Sequence, residues 1–412
     1  MQINKYHNLK EKARMTDLRS KIVESRKESK KNNFFYCKKC LYPSTKPNLY
    51  FNSDGVCSAC TAFSLRPKID WKEREKEFHE IMQRYKSNEN YDCIVGGSGG
   101  KDSFYQVWLL KQLGYNPLVV TATTDSLSDI GKENIEAMRL LGVDHMEFTL
   151  NKKIRRKINK YQLKTLGDIS WPEHVSIWTI PVKASVAYNI PLIIWGENGQ
   201  NEYGGPASAA EKKVLDRAWV EEFGGLLGFR VKDLLDYEDI KETDLIGYKY
   251  PLDEDITRVG TTGLYLGHYF EWDGWKNAFI AEAFGFKTWH TAIQGSAGSY
   301  ENLDNYQTGI HDYFKYLKYG FGRATDLVCN QIRRGRLSRF EGIEIIKKKD
   351  GEFPWSYLDK SLEFVLEEID MNLEEFNLIC DKFTNRSIFK QNKDGSICKD
   401  RNNKPVLLNE IR

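Results

Sequence analysis

One stretch limits what this chain can fold into more than any other: Tyr91-Asp-Cys-Ile-Val-Gly-Gly-Ser-Gly-Gly-Lys-Asp-Ser103. Residues 91–95 read as a short buried strand. Gly96, Gly97, Gly99 and Gly100 then crowd a turn, and Lys101 opens an amphipathic helix running through Leu113. A strand, a glycine turn and a helix start together make an anion cradle. Glycines let several backbone N–H groups point at one spot, and the helix N-terminus adds positive potential. Ser98 and Ser103 offer hydroxyl donors, and Lys101 offers a point charge. Asp102 is the odd member, because an acid beside a phosphate is repelled unless a cation intervenes. That pattern calls for Mg2+, which prefers carboxylate and phosphate oxygens.

The spacing is neither the Walker pattern nor G-x-G-x-x-G. Ser98-Gly-Gly-Lys-Asp-Ser103 resembles the pyrophosphate loop of the N-type ATP pyrophosphatases, a family that includes asparagine, GMP and NAD synthetases and tRNA thiolation enzymes. The resemblance implies cleavage of ATP to AMP and pyrophosphate through an adenylated oxygen. It places Gly97, Ser98, Gly99, Gly100, Lys101, Asp102 and Ser103 around the nucleotide. A ligand-free βα turn would require glycine, but not two serines, a lysine and an acid as well.

The length of 412 residues allows two or three domains. A net charge of +3 is too weak to argue for nucleic acid as the main partner. No signal-peptide core and no run of eighteen apolar residues is present, so a cytoplasmic location is expected. Four of the eight cysteines form two pairs, Cys37-Lys-Lys-Cys40 and Cys57-Ser-Ala-Cys60, at zinc-site spacing. The loop-rich insert between them has little core of its own, and bound Zn2+ would supply cohesion. Four thiolates leave no open coordination position, so the site would be structural; an Fe–S cluster or redox pairs are the alternatives.

Residues 1–33 are basic, with ten Lys/Arg against four Asp/Glu, and residues 8–31 could form a surface helix. Residues 34–67 make the zinc-binding module. A helix over 68–87, capped by Asp70, links it to a nucleotide-binding domain spanning 91–262. There, strands at 91–95, 117–122, 145–150 and 191–195 alternate with helices from Lys101, over 131–142, from Lys152 and over 176–189. Alternation of this kind predicts an α/β fold, a parallel sheet with helices on both faces. Ligands in such sheets sit at the carboxyl ends of the strands. The ends at Gly96, at Thr123-Thr-Asp125 and at Gly196-Glu-Asn-Gly-Gln-Asn-Glu202 should therefore share one cleft. Asp125 could bond the adenosine. Glu197 and Glu202 again call for Mg2+, and Glu202 is similar in place to a metal-reaching acid of NAD synthetases.

Residues 206–262 are charge-mixed and read as helices over the cleft. The region 263–412 is aromatic-rich at first and helical later. Gly267-His268-Tyr-Phe-Glu-Trp272-Asp273 and Tyr319-Gly-Phe-Gly-Arg323-Ala-Thr-Asp326 mix glycine, charge and aromatics in a way that suits a sugar, with Arg323 suited to a phosphate or carboxylate. Arg333, Arg334, Arg336 and Arg339 form a basic cluster on the next helix. Further helices are expected over 357–370 and 372–383, with Asp370 and Asn372 as capping candidates, before a polar hairpin or tail.

Taken in order, the four-cysteine module, Gly-Gly-Ser-Gly-Gly-Lys-Asp-Ser, Trp-Gly-Glu-Asn-Gly, Tyr-Leu-Gly-His-Tyr-Phe-Glu-Trp-Asp and Gly-Phe-Gly-Arg-Ala-Thr-Asp resemble the N-acetyl sugar amidotransferases of surface polysaccharide and flagellar glycan pathways, including pseudaminic acid biosynthesis. The likeness covers roughly residues 34–385. It implies ATP-dependent conversion of an acetamido group on an activated sugar into an acetamidino group, with ammonia from a separate glutaminase. No cysteine of this chain sits in a G-x-C-x-G elbow. On that reading Lys101, Asp102, Glu197 and Glu202 are catalytic: Asp102 and Glu202 hold Mg2+ and Glu197 deprotonates the incoming amine. His268, Trp272, Asp273, Arg323 and Asp326 face the substrate. Two other readings stay open. One is a tRNA-thiolating enzyme, although Cys93 lies on a buried strand and no cysteine follows until Cys329. The other is a nucleotide-gated zinc scaffold.

Overall fold

The computed structural model describes residues 34–123, 126–204, 214–215, 226, 228–237, 239–409 and 411. The helix expected over 8–31 lies outside them, as do Asp125 and much of the stretch expected to cover the cleft.

The centre is a sheet of β1 (Cys93–Gly96), β2 (Pro117–Thr123), β3 (Asp144–Thr149), β4 (Leu192–Trp195), β5 (Val214–Leu215) and β6 (Thr262–Tyr265). Its order is β3-β2-β1-β4-β6-β5. The five strands from β3 to β6 run parallel, and β5 is an antiparallel edge on β6. Residues in register include Val95 with Val119 and with Ile194.

Side chains alternate across a strand, so β1 feeds two cores. Cys93 and Val95 pack with Phe104, Val107 and Leu110 of helix Lys101–Gln112 and with Val119 and Ile194. Ile94 packs on the other face with Leu118, Val120, Ile193 and with Ile180 and Ala184 of helix Trp171–Tyr188. Both faces are covered, which is why the strands read as nearly continuous apolar runs. The α/β architecture expected from the alternation is the one observed.

The fifth parallel strand, β6, was not read from the sequence. Its four residues, Thr-Gly-Leu-Tyr, are short and open an aromatic-rich stretch, so neither length nor period marks them. The sheet therefore runs across the boundary drawn at 262. Where described, the segment between β4 and β6 holds helix Asp253–Val259 and the two 3-10 turns Val231–Asp236 and Glu242–Tyr248.

The linking helix spans Trp71–Tyr85, and Asp70 caps it by accepting from the amides of Lys72 and Glu73. Beyond the sheet, helices Thr308–Tyr319, Leu362–Glu368 and Leu373–Phe383 share a separate core around Phe314, Leu317, Phe376 and Phe383. The helix expected from 357 starts later, at Leu362. A two-stranded hairpin, Ser356–Tyr357 with Lys360–Ser361, takes its first residues, and Ser361 caps the helix. Asn372 caps the last helix, accepting from the Glu375 amide, whereas Asp370 sits at φ +52 in the turn before it. The basic cluster is not on one helix. Arg333 ends helix Arg323–Arg333, Arg334 and Arg336 lie in the turn that follows, and Arg339 opens helix Arg339–Lys349.

Candidate active site

The glycine turn ends β1 as expected. The Gly97 amide donates to the Val120 carbonyl, and a Cβ on Gly97 would lie 2.6 Å from Val119 Cγ1. Gly99 has φ +80, and a Cβ there would meet the Gly131 carbonyl oxygen at 2.7 Å. These two positions therefore require glycine. Ser103 Oγ accepts from the Ser98 amide at 3.3 Å and donates to the Gly100 carbonyl at 3.0 Å. Gly100 is the N-cap of helix Lys101–Gln112, and no side chain caps its first turn. The Gly100 amide donates to Ser98 Oγ at 3.3 Å, so the turn is tied internally, and the start of the helix brings Lys101 and Asp102 to the cleft.

The cleft is lined by Lys101, Asp102, Glu202, Trp272, Asp273 and Glu301, among others. Lys101 is 5% exposed, and its Nζ lies 2.5 Å from Asp102 Oδ2 and 2.7 Å from Glu301 Oε1. Burial alone would depress this ammonium, but Asp102 and Glu301 outweigh burial and hold its pKa well above the ordinary value. Asn277 Nδ2 reaches Asp102 Oδ1 at 3.4 Å. Glu197 follows β4 by one residue after Gly196. Burial first, and then the Asp102 carboxylate, push it up to about 7.

Glu202 lies on helix Gly199–Tyr203. Its Oε1 is paired with Arg66, and its Oε2 is 3.2 Å from Arg334 Nη2. Arg333 donates to the Glu202 carbonyl at 2.7 Å. Asp273 caps helix Gly274–Ala283 and pairs with Arg336 and, at 3.3 Å, with Arg334. Those contacts outweigh burial and lower its pKa. Trp272 is buried with the wall of the cleft, and its carbonyl accepts from Arg334 at 2.8 Å and Arg66 at 3.2 Å.

Three of the residues expected to face substrate sit elsewhere. His268 is buried against the linking helix, with Nδ1 3.0 Å from Arg74 Nη1. Asp326 is buried between Lys315 and Tyr42, whose Oη donates to it at 2.9 Å; it ties the cysteine module to the C-terminal helices. Arg323 pairs with Asp312 at 3.4 Å and is not among the residues that line the cleft, though Glu301 lies within its electrostatic reach. Each is adequately explained by the partner it already has.

Sequence reading missed Glu301, Asp304 and Arg66. Glu301 and Asp304 come from a segment whose backbone pairs with the loop after β2: the Ser128 amide donates to the Asp304 carbonyl at 3.1 Å, and the Tyr306 amide to the Ser126 carbonyl at 2.9 Å. Burial pushes the Asp304 carboxylate up, with Ser98 of the glycine turn near enough to oppose the rise. No local motif signals this meeting of positions two hundred residues apart.

Cys37, Cys40, Cys57 and Cys60 are buried, and their four sulfurs lie within 4.8 Å of one another. Cys40 and Cys57 Sγ are 3.6 Å apart, and Cys37 and Cys60 Sγ are 3.9 Å apart. A tetrahedron with Zn–S bonds of about 2.3 Å needs sulfurs about 3.8 Å apart, so the set fits a four-coordinate metal. Arg339 supports the cage by donating to the carbonyls of Cys37, at 2.9 Å, and Cys40. Among the described residues no other cluster of three or more candidate ligands is gathered so closely. Mg2+ in the cleft would therefore be held by Asp102 together with phosphate oxygens rather than by a ready-made cage. Among the described residues no helix is long and apolar enough to cross a membrane.

Sheet order, glycine turn and cysteine cage together define a parallel α/β protein with a glycine-rich turn at a strand end and a four-cysteine module of metal-site geometry. Residues 295–402, about a quarter of the chain, match the family described as LPS biosynthesis protein WbpG-like, C-terminal domain. The matched region begins just ahead of Glu301, so it contributes to the cleft itself. Among solved structures, the chain is similar to NMN synthetase from Francisella tularensis (16% identity, 47% of this chain and 93% of that one, TM-score 0.26). It is also similar to NH3-dependent NAD synthetase from Campylobacter jejuni (16%, 46% and 92%, TM-score 0.25). A third is a predicted subunit of tRNA methyltransferase from Methanocaldococcus jannaschii (17%, 55% and 88%, TM-score 0.25). No curated protein matches the sequence.

Proposed function

We propose that this chain is an ATP-dependent, AMP-forming amidotransferase that converts an acetamido group of an activated sugar into an acetamidino group. The observation that carries the reading is the glycine turn that opens helix Lys101–Gln112, with Lys101 and Asp102 at its start and Glu197 within electrostatic reach of both. The match of residues 295–402 to a lipopolysaccharide-biosynthesis domain supports a sugar as substrate.

An amide carbonyl is a poor electrophile, and its oxygen is a poor leaving group. The acetamido oxygen attacks the α-phosphorus of ATP, and the bond to the β-phosphate oxygen breaks, releasing pyrophosphate. Ammonia then adds to the imidate carbon, one proton leaves, and AMP departs with the former amide oxygen. The chain's part is positioning and charge stabilisation. The turn amides, Ser98, Ser103 and Lys101 bind the outer phosphates. Asp102 would hold Mg2+, whose charge would offset that of the phosphates. Glu202, the second acid expected at the metal, is engaged by Arg66 and Arg334.

Glu197, with a pKa near 7, takes the proton from the incoming amine. A separate glutaminase supplies the ammonia in this reading. Zn2+ in the cysteine cage holds residues 37–60 together and takes no part in the chemistry.

The test is incubation with ATP, Mg2+, ammonium and a panel of nucleotide-activated acetamido sugars. A product lighter by on the order of 1 Da, as expected when oxygen becomes NH, formed together with AMP supports the proposal. ATP consumption independent of every sugar, or sulfur transfer to tRNA, overturns it.

A further inference from the structure

Lys101 is the one cation of the glycine turn, and it is already engaged. Its Nζ is held at 2.7 Å by Glu301 Oε1, both side chains being nine-tenths or more buried. Glu301 belongs to the C-terminal region, not to the nucleotide-binding sheet. The same segment brings the buried Asp304 close to Ser98 of the turn. One carboxylate of the segment thus sits directly on the side chain of the turn best suited to phosphate oxygens.

The segment is fastened in place. Ser128 Oγ bonds the Leu303 carbonyl, and the backbone between Leu303 and Tyr306 is bonded to residues 126–128. A Cβ on Gly131 would lie 2.8 Å from Asp304 Cα, so the segment is packed tightly against the neighbouring helix as well. A phosphate group arriving at Lys101 meets a carboxylate of the same sign at the same ammonium. With the backbone fixed, the economical change is rotation of the Glu301 side chain, not movement of the segment.

We propose that Glu301 is a phosphate surrogate: it holds Lys101 in the ligand-free chain and hands the ammonium to the outer phosphates of ATP. Nucleotide binding is thereby coupled to the C-terminal region, because freeing Lys101 releases a carboxylate that this region carries. This positioning role rests on the ATP reading given above.

The test is calorimetric binding of pyrophosphate with Mg2+, and of a non-hydrolysable ATP analogue, to the full chain and to Glu301→Gln. If the unaltered chain binds neither, the ATP reading itself fails. If it binds, Glu301→Gln is expected to bind about tenfold tighter, the size of effect that removing one like charge from a buried site gives. Equal or weaker binding by a folded variant overturns the proposal. Should the variant not fold, lysine-labelled wild-type protein settles the point by NMR. The buried Lys101 ammonium signal is expected to shift on addition of pyrophosphate, and a signal indifferent to bound pyrophosphate overturns the proposal.

Discussion

Arg334 Nη2 lies 3.2 Å from Glu202 Oε2, each side chain only 8% exposed. The pair joins the turn after helix Arg323–Arg333 to helix Gly199–Tyr203, and Arg66 closes it from the cysteine module. Arg334→Met would leave Glu202 with Arg66 alone and strip Asp273 of one partner. Breaking a buried pair from one side costs roughly 3–5 kcal/mol. Urea unfolding is expected to show a loss at the low end of that range, because Arg66 remains. A loss below about 1 kcal/mol, as for a surface pair, would show that the cleft wall does not depend on this contact.

Asp102 is the acid of the glycine turn that retains some exposure to the cleft. Asp102→Ala is expected to abolish substrate-dependent AMP formation while leaving the circular dichroism spectrum and unfolding temperature near those of the unaltered chain. AMP formation at the parental rate would remove Asp102 from metal binding.

Gly99 tests the turn's backbone. An alanine at φ +80 costs about 1–2 kcal/mol, and its Cβ would press on the Gly131 carbonyl at 2.7 Å. Gly99→Ala is expected to weaken pyrophosphate binding by more than tenfold and to lower stability by at least about 1–2 kcal/mol. Unchanged binding would mean that the amides of this turn do not contact phosphate.

Much of this frame was legible in the sequence, and the reasons are local. Gly97 and Gly99 announce themselves because only glycine fits their surroundings, and β1, β2 and β4 do so because both faces are buried. The cysteines are spaced for a cage and form one. What was not legible depends on contacts between distant segments. Glu301 looks like any loop acid until its segment pairs with residues 126–128. His268 and Asp326 sit in stretches that mix glycine, charge and aromatics, yet Arg74 and Lys315 claim them as structural partners. A mixed motif marks a constrained position without saying which side of the wall it faces.

Glu197 gives a pH dependence with a definite sign. Burial and Asp102 raise its folded pKa from 4.5 to about 7, so the folded chain holds a proton there that the unfolded chain has lost. Stability contributed by this group is present below the unfolded value and declines as pH rises towards 7. The ammonia-addition step needs the ionised form, so its rate should rise through the same interval. In Glu197→Gln both the limb near pH 7 in the rate profile and this slope in stability are expected to vanish. A profile unaffected by the substitution would assign the base elsewhere.

Metal removal separates the module from the chemistry. Elemental analysis is expected to find zinc, and Cys57→Ser or prolonged chelation should expose residues 34–65 to protease and lower the unfolding temperature. The loosening should reach Glu202 through Arg66, which follows the helix that opens at the second cysteine pair. Full protease resistance in metal-free protein would show that the four sulfurs pack without an ion.

The most direct measurement follows the oxygen. A sugar whose acetamido carbonyl carries 18O is turned over with ATP, Mg2+ and ammonium, and the nucleotide product is weighed. Transfer of AMP onto the carbonyl predicts 18O in the phosphate of AMP and none in pyrophosphate. Unlabelled AMP, or ADP as the nucleotide product, would contradict adenylation of the amide.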